Sequence, residues 1–418
     1  MVLKRQVLKE GLKMALLKRI YEAVVEEHLK ENRQMLFLVG PRQVGKTTTS
    51  LEVSEPYKHH FYFNFDVQAD RIKIIEGPDA VAEMLELNLL RKTIPIIVFD
   101  ELHKYTNWKT FLKGFFDKYS KYVHIIVTGS ARLDVYKSGG DSLMGRYFPY
   151  RLHPLSVAEI LDPTLKIKEF SDPKELDDEQ FSNLITFGGF PEPFLKKTTQ
   201  FYTRWKRTRT HQLFEEDLRD LTKIQEIGQI QLLAEVLRHQ VGQLTSYTEL
   251  AKKVNASIDT IKRWLEILKS FYYCFTIQPW SKNVARSLLK EPKVYLWDWS
   301  CSTNTGARAE NFIASHLLKA VHFWTDRGLG EYDLCYLRDK EKREVDFLIV
   351  KNGKPWVLVE VKNSENGSPS KSLFYFQEML EVKHAVQVAL NMDYVDISCF
   401  ESSRPLIVPA KTFLSQLV

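Results

Sequence analysis

The sequence predicts an α/β protein with a parallel β-sheet in its first part. Short apolar runs recur at residues 35–40, 61–66, 94–101 and 124–130, and helical segments lie between them. A weaker fifth run follows at residues 146–154. Runs of this kind are typical of strands that helices cover on both faces, because neither face then needs polar residues. A glycine-rich loop directly after the first run is the second observation that favours this fold class.

Four regions can be distinguished along the chain. The first sheet is followed by a mainly helical stretch, and then by two helices that a short turn separates. Ser246 and Glu249 form a capping box for the first of these helices, and Ser257 can cap the second. Strand-like runs after them predict a winged helix-turn-helix. The last region has the order α-β-β-β-α-β, with a turn at Asn352 and Gly353. The predicted boundaries are 1–154, 155–240, 241–305 and 306–418.

Composition and charge narrow the function classes only slightly. Of the 418 residues, 44% are hydrophobic and 27% are charged, as in ordinary globular proteins. The net charge of +6 is compatible with a nucleic-acid partner, and equally with a surface slightly rich in lysine. Four cysteines without CxxC spacing indicate a reducing compartment. No apolar run approaches the roughly 20 residues that span a bilayer, and the charged start is unlike a signal peptide. We therefore expect a cytoplasmic protein without a membrane partner.

The segment GPRQVGKT, residues 40–47, matches the phosphate-binding pattern G-x-x-x-x-G-K-[ST] at every fixed position. It follows a strand and precedes a helix, which is the context that the pattern requires. Glycines let backbone N–H groups point at phosphate oxygens, Lys46 can reach the β- and γ-phosphates, and Thr47 can ligate Mg²⁺. The sequence therefore predicts an ATP site. Its expected nucleotide contacts are Gly40, Pro41, Arg42, Gln43, Val44, Gly45, Lys46, Thr47, Thr48 and, from a later strand, Ser130.

Two further strands end in polar residues that would complete this site. Asp100 and Glu101 follow four apolar residues, so they should lie at the carboxyl edge of the sheet, where α/β proteins bind ligands. We expect Asp100 to hold Mg²⁺ through water and Glu101 to polarise the attacking water. After the next strand, Thr128 or Ser130 could sense the γ-phosphate, although an ordinary turn would contain the same residue types.

An arginine is the last expected part of the ATP site. Arg146, in the stretch SLMGRY, stands where a neighbouring subunit could use it as an arginine finger. Such a cation stabilises the negative charge that develops during phosphoryl transfer. Arg132 is the alternative, and an ordinary surface charge is the third interpretation.

A second candidate site lies near the end of the chain. The strand EVDFLIV contains Asp346, and its expected hairpin partner ends in Glu360 and Lys362. Glu360 and Lys362 project to the same face because strand side chains alternate with period 2. Asp346 and Glu360 could then share one Mg²⁺ that activates water for phosphodiester hydrolysis, with Lys362 stabilising the developing charge and Glu310 completing the metal site. A solvated hairpin with charged ends is the alternative.

These motifs resemble one family. The chain is similar to bacterial and archaeal AAA-like ATPases that carry a winged helix and a C-terminal restriction-endonuclease-like, PD-(D/E)XK, domain of unknown function. The matching pieces are GPRQVGKTT, VFDELHK, VTGSA, SLMGRY with HPLSVAE, FGGFPE, the helix pair at 244–275, KVYLWD, AENF, EVDF and EVK. The resemblance implies an ASCE-type P-loop core with strand order 5-1-4-3-2 and a homo-oligomer, a hexameric ring among the options. It also implies nuclease-type positions for Glu310, Asp346, Glu360 and Lys362.

The resemblance departs from RecB-like nucleases at one point. The helix that carries Gln377 lacks the Q-x-x-x-Y pattern of those enzymes, because Glu381 stands where the tyrosine would be. RecB-like exonuclease chemistry is therefore not expected.

The leading functional hypothesis is an oligomeric ATPase that acts on DNA, with a Mg²⁺-dependent nuclease activity as a further option. The helix at 258–269 offers Lys262, Arg263 and Lys269 to phosphates, although helices of this kind also serve only for packing. The basic and aromatic stretch at 196–209 could follow a nucleic-acid backbone, or could be a solvated helix face. The alternative hypothesis is a STAND-like nucleotide-dependent switch whose nuclease-like domain only binds DNA or a partner.

Overall fold

A computed structural model describes residues 17–89, 91–129, 143–221, 226–281, 291–364 and 367–418. Ser130 and Arg132, both named above, lie outside these residues, and so do residues 1–16. The described residues form two β-sheets, one of five strands and one of seven, with helices around and between them. Within the described residues, no helix is long and apolar enough to cross a membrane.

The first sheet is parallel throughout and has the predicted strand order. Its order is β2-β3-β4-β1-β5, which is 5-1-4-3-2 read from the other edge. The strands are β1 (Met35–Val39), β2 (His60–Asn64), β3 (Ile96–Asp100), β4 (His124–Gly129) and β5 (Tyr147–Arg151). The helices of this part are α1 (Ile20–Glu31), α2 (Lys46–Ser54), α3 (Gln68–Glu76), α4 (Pro78–Met84) and α5 (Trp108–Tyr119).

The burial of strand β1 on both faces explains why its sequence is apolar at every position. All five residues are buried. Leu36 and Leu38 pack into the core on one face of the sheet, while Phe37 and Val39 pack into a separate core on the other face. A strand covered on both faces has no solvent side on which alternation could show. Because all neighbours of β1 run parallel to it, β1, β3 and β4 end at the same edge of the sheet.

The middle of the chain is helical, as expected. Its helices are α6 (Val157–Leu161), α7 (Asp178–Phe187), α8 (Pro191–Lys196), α9 (Thr199–His211), α10 (Leu218–Leu221), α11 (Ile227–His239), α12 (Tyr247–Val254) and α13 (Ile258–Ser270). Both serines cap their helices, since Ser246 accepts a hydrogen bond from the N–H of Glu249, which is one half of the predicted capping box, and Ser257 accepts one from the N–H of Thr260. Asn255, in the left-handed conformation with φ 55°, makes the turn between α12 and α13.

The two strands after α13 do not form a separate unit. β6 (Cys274–Pro279) and β7 (Lys293–Leu296) pair antiparallel, as a wing would. However, β6 also pairs with the next strand, at Gln278 and Cys335, and so joins the seven-stranded sheet. The predicted boundary at residue 305 therefore falls within one continuous sheet.

The last part of the chain contains the predicted α-β-β-β-α-β order and two elements more. The elements are α14 (Thr305–Asp326), β8 (Tyr332–Arg338), β9 (Glu344–Lys351), β10 (Lys354–Lys362), α15 (Lys371–Leu380), β11 (His384–Ala389), β12 (Leu406–Pro409) and α16 (Ala410–Ser415). The sheet order is β12-β11-β10-β9-β8-β6-β7. Asn352 and Gly353 form the β9–β10 turn with φ of 50° and 76°. β12 was not predicted, because a four-residue strand that ends in proline has little sequence signal.

Candidate functional site

The glycine-rich loop connects β1 to α2 at the carboxyl edge of the first sheet. Gly45 has φ 105°, a conformation that side chains with a Cβ rarely adopt. Gly40 lies so close to the chain after β5 that a Cβ would come within 2.3 Å of the carbonyl oxygen of Leu152. Both glycines are therefore required by the backbone, and they let the loop curl tightly before α2 begins at Lys46. The N–H groups in the first turn of an α-helix have no acceptor within the helix itself, and this helix end favours an anion.

Lys46 lies inside the curled loop. Its side chain is 7% exposed, and its ammonium donates hydrogen bonds to the carbonyl oxygens of Gly40, at 2.9 Å, and Pro41, at 2.7 Å. Val44 is buried, Arg42 is half-buried, and Gln43 and Thr48 are exposed on the outer side of the loop. The structure therefore places a cation where the predicted phosphates would be, with two neutral carbonyl groups as hydrogen-bond partners.

Asp100 brings residues of three strands and a helix together, and all of them except Tyr62 were predicted. One of its carboxylate oxygens accepts hydrogen bonds from the hydroxyl of Thr47, at 2.9 Å, and from that of Tyr62, at 2.6 Å. The other accepts a hydrogen bond from the hydroxyl of Thr128. Hydroxyl and carboxylate oxygens are the donors that Mg²⁺ prefers, so Thr47 and Asp100 fit the predicted metal role. Of the two candidate sensors, Thr128 reaches the site, whereas Ser130 lies outside the described residues.

Tyr62 is a member of this group that sequence reasoning missed. It lies on β2 within the run FYFNFD, where an aromatic residue is expected to serve the core. Burial, and the nearby charge of Asp100, raise the pKa of the Tyr62 phenol far above its usual value. Tyr62 therefore stays protonated and donates its hydrogen bond to Asp100 at any physiological pH.

Glu101 adopts a backbone conformation that is costly for its residue type. Its φ of 55° lies in the left-handed region, which costs roughly 1 kcal/mol or more for a residue with a Cβ. Its side chain is 21% exposed, and its Oε2 atom lies 3.5 Å from the ammonium of Lys104 and 3.7 Å from the ring of His103. That oxygen accepts no hydrogen bond from the described residues. A carboxylate directly after Asp100 that has an oxygen without a hydrogen-bond donor suits a group that orients water.

Arg146 lies at the opposite edge of the sheet from the glycine-rich loop. It directly precedes β5, whose first residue pairs with the first residue of β1, whereas the loop follows the last residue of β1. Its guanidinium forms two hydrogen bonds with Asp117, at 2.7 and 2.9 Å, and these bonds lower the pKa of Asp117. Arg146 therefore cannot reach the ATP site of its own chain. Its action on a neighbouring subunit stays a prediction, and Arg132 lies outside the described residues.

A buried charge network ties the loop to the rest of the molecule. Arg19 donates hydrogen bonds to the carbonyl oxygen of Val44, at 2.7 Å, and to the carboxylate of Glu159, at 2.8 Å. Lys319, on α14, reaches the other oxygen of Glu159 at 2.5 Å. Burial opposes ionisation of Glu159, but its two cationic partners lower its pKa to about 2. The sequence offered no sign of this network, because its members are far apart along the chain.

The second candidate site has the hairpin geometry that the sequence predicts. Glu360 and Lys362 project to the same face of β10, with the ammonium of Lys362 2.8 Å from the carboxylate of Glu360. Ser370, the cap of α15, donates a hydrogen bond to the other oxygen of Glu360. Asp346, on β9, accepts a hydrogen bond from the N–H of Val361 at 2.8 Å. The three residues named for this hairpin therefore lie side by side.

A lysine that was not predicted occupies the centre of this site. The ammonium of Lys293, on β7, lies 2.6 Å from Glu344, 3.4 Å from Glu310 and 3.8 Å from Asp346. Lys293 is only 3% exposed. The hydroxyl of Tyr295, two residues later, donates a hydrogen bond to Glu310 at 2.7 Å. In the sequence, Lys293 begins a strand-like run and gave no signal of a role beyond the predicted wing.

The charges of this cluster differ from those of the predicted metal site. Among the described residues, no group of three or more histidine, cysteine, aspartate or glutamate side chains could hold a metal ion. The ammonium of Lys293 lies 3.4 Å from Glu310 and 3.8 Å from Asp346, two of the three carboxylates expected to share Mg²⁺. The shared Mg²⁺ at Asp346, Glu360 and Glu310 stays a prediction. Burial and the charge of Glu310 raise the pKa of Asp346 to about 7. Burial disfavours the Lys293 cation, but Glu310, Asp346 and Glu344 together raise its pKa.

Comparison with known families divides the chain into three matched segments. Residues 32–161 match a family described as an AAA domain. Residues 178–305 match a domain of unknown function, DUF8612, and residues 305–406 match another, DUF4143. The first matched segment contains the glycine-rich loop, Asp100 and the five-stranded sheet. The chain therefore contains an AAA-type P-loop ATPase domain, whose fold implies nucleotide binding.

Similar proteins are found in archaea and bacteria. An uncharacterized protein of Methanocaldococcus jannaschii is 25% identical over 402 residues, which cover 91% of this chain and 87% of that protein. An uncharacterized protein of Mycobacterium tuberculosis is 23% identical over 354 residues, which cover 81% of this chain and 72% of that protein. Among solved structures, the Walker-type ATPase of Pyrococcus abyssi is 14% identical and gives a TM-score of 0.44 over 70% of this chain and 96% of that chain.

Proposed function

We propose that this protein hydrolyses ATP and uses the nucleotide cycle to act on DNA, which it contacts through α13, and that its C-terminal domain binds DNA or a partner without cleaving nucleic acid. The observation that carries the ATPase part is the arrangement around Asp100. Asp100 accepts hydrogen bonds from Thr47, at the start of α2, and from Thr128, at the end of β4. Lys46 lies beside them within the loop. These are the groups that phosphoryl transfer requires at the carboxyl edge of such a sheet.

The chemistry assigned to these residues is hydrolysis of the γ-phosphate. Lys46 and the N–H groups at the start of α2 bind the phosphate oxygens and stabilise their charge. Thr47 and Asp100 would hold Mg²⁺, which supplies further neutralisation of the phosphates. Glu101 orients a water molecule whose oxygen bonds to the γ-phosphorus, while the bond from that phosphorus to the bridging oxygen breaks. The proton of the water passes towards the Glu101 carboxylate, and ADP and phosphate leave.

The face of α13 supports binding to DNA. Ile261, Trp264, Leu265 and Leu268 are buried on one side of this helix, while Lys262 and Arg263 are exposed on the other. Exposed cations on one helix face can contact backbone phosphates. Lys269, the third predicted contact, is half-buried and lies 2.8 Å from Glu266.

The basic stretch at 196–209 contributes less to DNA binding than its composition predicts. Arg209 turns inward and stacks on the rings of Phe190, at 4.1 Å, and Trp205. Arg204 and Arg207 are exposed, as a solvated helix face would be. Part of this stretch therefore serves packing, and we assign the DNA contact to α13 instead.

The C-terminal domain supports binding rather than cleavage. Its element order and the shared face of Glu360 and Lys362 favour a restriction-endonuclease-like fold. The ammonium of Lys293, by contrast, lies 3.4 Å from Glu310 and 3.8 Å from Asp346, two of the carboxylates predicted to hold the metal of a nuclease. This favours the switch-like alternative for this domain, in which it binds DNA or a partner. Arg146, at the edge opposite the loop, is consistent with a homo-oligomer, such as a hexameric ring, in which it serves a neighbouring ATP site.

The proposal is tested by ATP turnover with and without DNA. Wild-type protein should hydrolyse ATP faster with single-stranded, duplex or branched DNA, and Lys262→Glu combined with Arg263→Glu should remove the stimulation but keep the basal rate. Glu101→Gln should bind ATP normally and lose at least about 100-fold in turnover, because the group that polarises water is missing. Wild-type turnover in Glu101→Gln would contradict the catalytic assignment. Turnover that no form of DNA changes would favour a switch that does not act on DNA.

A further inference from the structure

Lys293 is surrounded by carboxylates from two separate elements. Glu310 comes from α14, and Glu344 and Asp346 come from the same face of β9, two residues apart. One oxygen of each lies within 3.8 Å of the Lys293 ammonium, and the shortest distance, to Glu344, is 2.6 Å. Three oxygens around one point, on rigid elements, are the arrangement that also suits a small cation. Here the point is occupied by a side chain of the protein.

The segment before α12 covers one side of the cluster around Lys293. Leu244 forms a bridge with Lys293, and the N–H of Gly242 donates a hydrogen bond to the carbonyl oxygen of Val294. Gly242 has φ 76°, and a Cβ there would lie 2.9 Å from a carboxylate oxygen of Glu310. The segment before α12 therefore packs directly against the cluster. Lys293 is buried by this cover and is not a surface lysine that reaches in from solvent.

The charges of the cluster are nearly balanced without an added ion. The carboxylates of Glu310, Glu344 and Asp346 are opposed by Lys293 and by Arg338, which lies 2.6 Å from Glu344. A divalent cation at this point would meet the ammonium of Lys293 in a poorly hydrated space, where like charges repel strongly. Removing one partner of a buried ion cluster leaves the remaining charges uncompensated. The ammonium and a metal ion therefore exclude each other.

We infer that Lys293 is the resident cation of the C-terminal carboxylate cluster, and that it excludes divalent metal from this site. This deepens the proposed function, since it gives the physical reason why the domain binds without cleaving. It also identifies β7 as the element that determines whether the cluster can bind metal, because β7 carries Lys293. The metal readout below does not involve ATP turnover, so it can fail while the proposed ATPase stands.

The test measures the binding of Mn²⁺ to the full chain without nucleotide, with electron paramagnetic resonance as the readout. Lys293→Met removes the charge and keeps the length of the side chain, while Lys293→Arg is the control that keeps the charge. We expect Lys293→Met to gain one Mn²⁺ per chain with at least tenfold higher affinity than wild type or Lys293→Arg. Adding Asp346→Asn to Lys293→Met should abolish the gain, which assigns the ion to this cluster.

Two outcomes would overturn the inference. One is a Mn²⁺ ion in wild type that Asp346→Asn removes and Lys293→Met does not strengthen. The other is a failure of Mn²⁺ to restore the stability of Lys293→Met, a variant that leaves buried carboxylates without their cation. We expect the melting temperature of Lys293→Met to fall in the absence of metal. Adding Mn²⁺ should raise it again, and this rise should be larger than the rise for Lys293→Arg. If Mn²⁺ restores neither folding nor stability, the carboxylates cannot use a metal in place of the ammonium.

Discussion

The loop around Lys46 and the cluster around Lys293 both contain a buried lysine, and their partners differ in kind. The ammonium of Lys46 is bound by the carbonyl oxygens of Gly40 and Pro41, whereas that of Lys293 is bound by carboxylates. The two hydrogen bonds that Lys46 donates within the loop go to neutral carbonyl groups, whereas the ion-pair partners of Lys293 are carboxylates that compensate its charge. We therefore expect Lys46 to bind the phosphates of a ligand and Lys293 to stabilise the protein.

The local structure explains how each lysine acquires its partners. Lys46 begins α2, where N–H groups point outward and the helix dipole favours an incoming anion. Lys293 begins β7, which is fixed between Leu244 and β6 and faces the carboxylates of α14 and β9. A helix start after a glycine loop leaves its charge available to a ligand. A strand at the end of a sheet, as β7 is, can deliver its charge to a neighbouring element.

Removing the charge of Lys46 should have the largest effect. Lys46→Ala deletes the cation that faces the γ-phosphate, so we expect ATP turnover to fall by about 10²–10³ or more, with weaker nucleotide binding. Steady-state phosphate release is the measurement. Lys58→Ala, at an exposed lysine after α2, is the control and should keep wild-type turnover. Equal rates in the two variants would mean that Lys46 is a structural lysine like Lys293.

Arg146→Ala should have the next largest effect. This variant tests whether a neighbouring subunit completes the ATP site. We expect ATP affinity to stay nearly intact and turnover to fall at least tenfold, in the direction known for arginine fingers. Asp117→Ala is the matched control, since it removes the partner of Arg146 and keeps the arginine. Light scattering on the same samples reports the oligomer. A monomer whose turnover is unchanged by Arg146→Ala removes the trans role.

The pH dependence of stability should distinguish the carboxylate cluster from the loop. Burial holds the pKa of Asp346 at about 7 in the folded protein, above its value of 3.8 when exposed. The folded state therefore binds a proton that the unfolded state releases, and stability falls as pH rises from about 4 to 7 and is flat above. The free energy of unfolding of wild type, minus that of Asp346→Asn, should fall by roughly 1 kcal/mol per pH unit between pH 5 and 7. A difference that does not change with pH would contradict the raised pKa.

The smallest expected effect is on nucleic acid itself. If Lys293 excludes metal, supercoiled plasmid should stay intact with the wild-type protein in the presence of Mg²⁺ or Mn²⁺, and Asp346→Ala should leave ATP turnover within about twofold of wild type. Gel electrophoresis is the measurement. Metal-dependent nicking that disappears in Asp346→Ala and Glu360→Ala would restore the nuclease hypothesis.

The parts of the molecule that sequence reasoning predicted are those set by neighbouring residues. The loop at 40–47, the strand ends at Asp100 and Thr128, and the caps at Ser246 and Ser257 depend on local patterns, and the structure contains each of them. The strand order of the first sheet followed from the family resemblance, and it is present as well. The shared face of Glu360 and Lys362 on β10 was predicted because strand side chains alternate with period 2.

The parts that escaped prediction depend on contacts between distant segments. Tyr62 and Asp100 are 38 positions apart, and Arg19 and Glu159 are 140 apart. A tyrosine in an apolar strand, or a lysine at the start of one, gives the same local pattern whether it serves the core or a charged site. Lys293 was therefore assigned to a wing. Only the pairing of β6 with β8, which joins the two regions in one sheet, brings Lys293 to Asp346.

The network of Arg19, Glu159 and Lys319 bears on whether this protein is modular. The matched AAA segment, 32–161, contains Glu159 but neither of its cationic partners, since Arg19 precedes it and Lys319 lies on α14. A fragment cut at those limits would lose both cationic partners of Glu159, together with the segments that bury it. It would also lose the guanidinium that binds the phosphate loop at Val44. An ATPase segment exchanged between relatives should therefore fold well only when all three residues are exchanged with it. This network, rather than any linker, determines where the chain can be divided.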